Sequence, residues 1–93
     1  MILATYIKDP DEKLDYDVDF SKWLPSSDFI ASAVIISDTG IVVESHNIFN
    51  SNKTVKVWLS GGTTGTTYKV EIRVTTNDGR IKEADFKIKC KAN

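Results

Sequence analysis

The residues best equipped for chemistry are three aspartates at two-residue steps, Asp15, Asp17 and Asp19, with Asp9, Asp11 and Glu12 just before them. Asp-x-Asp-x-Asp opens a calcium loop, in which side-chain oxygens converge on one hard cation. That loop also needs glycine at its sixth position and glutamate at its twelfth, where this chain has Phe20 and Ser26. Leu14, Tyr16, Val18 and Phe20 alternate with the aspartates, so the segment reads as a half-buried strand. A strand sets its outward carboxylates ~6–7 Å apart, which suits a solvated acidic face and not a compact cage. Paired acids for glycoside hydrolysis could be drawn from the same six carboxylates, but 93 residues leave little room for a substrate cleft.

Other chemistry finds less support. His46 is the only histidine and Cys90 the only cysteine, so a zinc site would need carboxylates for nearly every ligand. The serines carry no G-x-S-x-G elbow. Gly61-Gly62-Thr63-Thr64-Gly65 lacks the G-K-[ST] ending of a phosphate loop and leads into a strand. Cys90 is in phase with Ala84, Phe86 and Ile88, which marks it as a small buried hydrophobe, and a lone cysteine forms no intrachain disulfide. No catalytic residue, metal or cofactor is expected.

The elements behind these residues are strands. From Thr54 to Cys90 apolar and polar residues alternate, interrupted by Gly61–Gly65 and by Asn77-Asp78-Gly79. Val55, Val57 and Leu59 face one way, with Lys56, Trp58 and Ser60 the other. Tyr68, Val70, Ile72 and Val74 then face inward against Lys69, Glu71 and Arg73. Ala84, Phe86, Ile88 and Cys90 return inward after a tight hairpin whose residues tolerate positive φ. Upstream, Phe29–Ile36 is a strand whose run Ala33-Val34-Ile35-Ile36 suggests burial on both faces. Ile41–Val43 is a short strand, followed by a turn-rich stretch from His46 to Asn52 anchored by Ile48 and Phe49. Ser21 caps one helical turn that Pro25 ends. Residues 1–13, with Pro10, read as an irregular arm ahead of a sandwich over residues 14–93. The expected fold is all-β, an immunoglobulin-like or fibronectin-like antiparallel sandwich of about seven strands. Tyr68, opening a strand after a glycine-bearing corner, is placed to fold its hydroxyl back onto nearby backbone.

Composition narrows the partners. The chain is 41% hydrophobic with no apolar run near the ~20 residues of a membrane helix, and its start lacks the basic region of a secretory signal. Neither a membrane nor nucleic acid is expected as a partner, the second because pI is near 5.7. Charge is segregated. Residues 1–20 hold six acids and two lysines, and residues 51–93 hold nine Lys/Arg and four acids. This describes two solvated faces, or an acidic edge meeting a basic edge within the domain or between copies. Among the aromatics, Trp23 reads as a core plug, while Trp58 on an outward phase needs a cover, either a partner chain, which makes it a contact residue, or the N-terminal arm.

Two stretches carry a family resemblance. One runs Lys8-Asp9-Pro10-Asp11-Glu12-Lys13-Leu14-Asp15-Tyr16 to Asp19-Phe20-Ser21-Lys22-Trp23-Leu24. The other is Val57-Trp58-Leu59-Ser60-Gly61-Gly62 through Gly65-Thr66-Thr67-Tyr68, followed by Thr75-Thr76-Asn77-Asp78-Gly79-Arg80. Together they resemble small virion proteins of tailed phages and prophages described as fiber–tail adaptors, with K-D-P-D-E…L-D-Y…D-W-S-x-W-L and W-L-S-G-G-T-x-G-T-x-Y as the usual form. Phe20 stands where that family commonly has tryptophan. The resemblance implies an immunoglobulin-like, non-enzymatic structural protein of the virion, made in the host bacterial cytoplasm. It would join fiber to tail or neck and bind other phage structural proteins, in several copies. Asp9, Asp11, Glu12, Trp58, Gly61 and Gly62 become the candidate interface. The alternative is a carbohydrate- or surface-binding module, for which Trp58 with Tyr6 is the available aromatic pair.

Overall fold

A computed structural model describes residues 2–92, with Ile2 described through its backbone alone. Seven strands form: β1 (Ile2–Lys8), β2 (Leu14–Asp19), β3 (Ile30–Ser37), β4 (Ile41–Phe49), β5 (Thr54–Gly61), β6 (Thr67–Thr76) and β7 (Ile81–Cys90). They divide into a four-stranded sheet, β1-β7-β6-β3, and a three-stranded sheet, β2-β5-β4. The inward residues of both merge into one core. Val18, Val55, Val57 and Leu59 from one sheet meet Val70, Ile72, Val74, Phe86 and Ile88 from the other. Fully burying one such side chain stabilises by roughly 1.5–3 kcal/mol, so this β-sandwich stands on its two inner faces.

The alternation places β5, β6 and β7 as expected. Four expectations are corrected. Residues 2–8 are not irregular: they form an edge strand, and β1 pairs with β7 in parallel, unlike every other strand pair. Its polar and apolar residues are mixed because an edge strand has only one packed side. β3 is also an edge strand. Ile30 is buried, but Val34 and Ile36 are 55% and 43% exposed, so the apolar run is covered on one face only. β4 continues through His46 to Phe49, its polar residues tolerated on an edge beside solvent. A bulge between Val43 and Ser45 accommodates the extra residue Glu44. Finally, the 77–79 hairpin needs positive φ only at Gly79. The more unusual turn joins β4 to β5, where Asn50, Ser51 and Asn52 all adopt left-handed φ of 58, 56 and 57°.

After β2 the chain makes one turn, with the amides of Trp23 and Leu24 donating to the Phe20 carbonyl. The capping acceptor is Asp19, whose Oδ1 takes the Ser21 amide at 2.8 Å, and not Ser21 itself. That amide, with the Ser21 hydroxyl, holds the Asp19 carboxyl below its ordinary range. Trp23 is half-buried and packs on the core edge-on to Phe20.

Candidate functional site

The opening segments of the two stretches that carry the family resemblance, residues 8–12 and 58–62, run to the same pole of the sandwich. β1 ends there at Lys8 and β5 ends there at Gly61. Lys8 falls on the inner phase of β1, in register with Cys90, and its side chain is 0% exposed. An ammonium so placed needs every acceptor it can reach. Lys8 Nζ donates to the Gly61 carbonyl at 2.7 Å and to the Asp9 carbonyl at 2.9 Å. The turn that follows is bonded to itself. The Asp9 amide donates to Glu12 Oε1, the Asp11 amide donates to Asp9 Oδ1, and the Glu12 amide donates to the Asp9 carbonyl. Asp9 and Glu12 thus hold the turn's shape, and Asp11 is left exposed.

Tyr68 is the second fixture of this pole. Its ring is buried, and its hydroxyl accepts the Thr63 amide at 3.0 Å, five residues back along the chain. The expected corner therefore forms. The ring lies between two glycines. A Cβ at Gly40 would come within 2.8 Å of Tyr68 Cε1. At Gly62, where φ is 98°, it would collide with Cys90 Sγ. Cys90 itself is 1% exposed, a small apolar filler beneath this corner.

The outer face of the three-stranded sheet continues from this pole. Asp15, Asp17 and Asp19 line its β2 edge, in register with Trp58, Lys56 and Thr54. Lys56 Nζ reaches Asp15 at 3.2 Å and Asp17 at 3.9 Å, and lies 5.3 Å from the centre of the Phe49 ring. Trp58 is half-buried between Asp15 on β2 and Ser45 on β4. Tyr6 is elsewhere. It pairs with Ile88 in the other sheet and packs on Tyr16 and Phe86, with centroids 5.0 and 5.8 Å away. Tyr6 and Trp58 therefore share no aromatic platform. Tyr16 completes that cluster, and its hydroxyl is buried without a hydrogen bond. Burial, followed by the charge of Glu12, pushes its pKa up to about 12.

The far pole centres on Asp28, which is 1% exposed. Its Oδ1 accepts the amides of Phe29 and Asp78, and its Oδ2 accepts Arg80 Nη1 at 2.8 Å. Desolvation pushes this carboxyl up, but bonds from Thr76, Arg80 and the two amides outweigh it and leave the pKa below the ordinary value. Nearby, Leu3, Val18, Phe20, Trp23 and Ala84 line an apolar cavity of about 320 Å³ between the sheets, with Lys82 over the Trp23 ring.

Sequence reasoning missed Lys8 and Asp28. Lys8 was legible in principle, since Tyr6 and Lys8 share the inward phase once residues 2–8 are taken as a strand. Asp28 is the only charged residue between Lys22 and Asp38, a signal that something must compensate it.

Among the described residues, no cluster of three or more His, Cys, Asp or Glu is placed to hold a metal ion. What the motif pole offers is a hydrogen-bonded surface of turns that leaves Asp11 exposed, with the half-buried Trp58 on the adjoining sheet face. Residues 8–89 match the family described as podophage GP4 fiber-tail adaptor protein gp77. No curated protein matches the chain.

Proposed function

The chain belongs to the podophage fiber-tail adaptor family, and from that premise we propose that it is a non-enzymatic virion protein joining a fiber to the tail or neck of the particle. It is made in the host bacterial cytoplasm and works by binding other phage structural proteins, not nucleic acid or membrane. The observation that carries this reading is the length of the family match, which takes in both motif stretches and six of the seven strands in full or nearly so. We read the fold as immunoglobulin-like. Support comes from the strand order, in which β2-β5-β4 and β7-β6-β3 correspond to the B-E-D and G-F-C sheets of that fold, and from the Tyr68 corner between β5 and β6.

The partner surface in this reading is the motif pole, formed by Asp9, Asp11, Glu12, Trp58, Gly61 and Gly62. The Lys8–Gly61 bond supports it by bringing the two segments together. Asp11 and Trp58 supply side chains, and the other four hold the backbone in shape. Aromatic anchors with flanking charge are the residues that dominate interface energetics. The test is co-expression with the tail, neck and fiber proteins of the same phage, followed by size-exclusion chromatography with light scattering. A complex is expected, weakened about tenfold or more by Trp58→Ala with the melting temperature retained. Failure of every structural neighbour to co-elute would overturn the reading.

A further inference from the structure

β6 and β7 treat their outward charges in two different ways. In their half near the far pole, Arg73 pairs with both Glu83 and Glu71. In the half near the motif pole, Lys69 sits directly opposite Lys87, and Lys89 follows two residues on, opposite Thr67. Like charges facing each other across strands cost stability. No ion pair among the described residues relieves these three exposed lysines. The next outward pair along the ladder is acidic, Glu71 opposite Asp85, and both are engaged elsewhere, Glu71 by Arg73, while Asp38 accepts the Lys69 backbone amide. The patch is bordered on β1 by Thr5 and by Ile7, which is 61% exposed.

The opposite broad face carries the complement. Asp15, Asp17 and Asp19 repeat at the same ~6–7 Å step as Lys87 and Lys89, with Lys56 as the one cation between them in register. The two patches cannot meet within one chain, because the core lies between them. We propose that the Lys69–Lys87–Lys89 patch docks on the Asp15–Asp17–Asp19 face of a second copy. Each copy then presents one patch forward and one backward. The contact is heterologous, so it continues into a ring or a chain of copies instead of stopping at a dimer. The molecule is 43 Å long and about 20 Å through, so stacking on broad faces leaves both poles free. The contact uses none of the six partner residues proposed above, and its failure would leave that reading standing.

Charge swapping tests it. Sedimentation velocity of the wild-type chain at low salt should show concentration-dependent association that weakens toward ~1 M salt, where screening acts within ~3 Å. A K69E/K87E variant and a D15K/D17K variant should each lose about tenfold or more in association, because like charges then face each other. Mixed one to one, the two variants should associate again, since one is acidic on both faces and the other basic on both. Control variants carrying equal charge changes at Lys53 and Lys91, or at Asp11 and Asp78, should each associate as the wild type does, because both patches are kept. Equal melting temperatures establish that all variants fold. A wild-type chain that stays monomeric at every concentration, even if the lysines retain heparin or DNA, overturns the proposal. So does association that neither charge variant changes, or mixing that restores nothing.

Discussion

At the motif pole a buried ammonium, Lys8, collects carbonyl oxygens from two turns. At the far pole a buried carboxylate, Asp28, collects amides from two loops. Each reaches across more than fifty residues of chain or close to it, Lys8 to Gly61 and Asp28 to Arg80. The difference lies in what surrounds them. Asp28 is joined by a guanidinium that is itself half in solvent, so its pole is held by an ion pair open to water. Lys8 is backed by Tyr68, Cys90 and glycines that admit no extra atom. One end is tied by charge and answers to pH. The other is tied by packing and answers to volume.

Volume should give the largest effect. Gly62→Ala combines a left-handed φ with a collision at Cys90 Sγ, and chemical denaturation should show a loss of roughly 3 kcal/mol or more. Adding Cys90→Ala should recover part of it, whereas no recovery at all would break the packing account of this pole. Lys8→Met comes next. It keeps the stem but removes the ammonium donor from the Gly61 carbonyl and one of the two donors from the Asp9 carbonyl, for a loss of roughly 2 kcal/mol. If that variant is as stable as wild type, Lys8 is not the tie described here.

Charge should appear in the pH profile. Because the folded pKa of Asp28 is below 3.8, its contribution is present above that value and is lost as pH falls through the depressed one. Asp28→Asn should flatten the acid side of the stability curve, with the amides of Phe29 and Asp78 losing exchange protection. An unchanged acid limb would remove the contrast between the poles.

The two tyrosines sharpen it with the smallest effects. Tyr68→Phe abandons the Thr63 amide and should cost about 1 kcal/mol. Tyr16→Phe removes a hydroxyl that has no partner, so stability at neutral pH should hold or rise by up to ~1 kcal/mol. The Tyr16 pKa is raised from 10.0 to about 12, so its contribution is whole below 10 and is lost as pH climbs toward 12. The Phe variant should lack that alkaline loss in a pH titration followed by circular dichroism.

The sandwich was legible because three of its strands, β5, β6 and β7, keep an almost unbroken two-residue period, and the core is their inward set. Edge strands were harder. β1 and β4 carry polar residues on phases that a central strand would keep apolar, and β3 carries apolar residues on a phase that water reaches. Period alone does not tell which strands lie at an edge. Asp9, Glu12, Gly61 and Gly62 were legible as a motif but not as a lock, since Lys8 links the two segments across the whole of β2, β3 and β4. Asp28 fails for the same reason. Apart from the Phe29 amide, its partners Asp78 and Arg80 lie 50 and 52 residues away, beyond the reach of any local pattern.

The parallel pairing of β1 with β7 has a consequence for the order of folding. The β4–β5 and β6–β7 ladders join across turns, and β2–β5 and β3–β6 close over the strands between them, but β1 waits for β7, the last of the seven in chain order. Closing so long a span costs the most chain entropy and is repaid only once β7 is seated on β6. β1, the first of the seven in chain order, is then the last one docked. Its amides would exchange soonest in the native protein, and until it docks Lys8 keeps its water and the motif pole stays open.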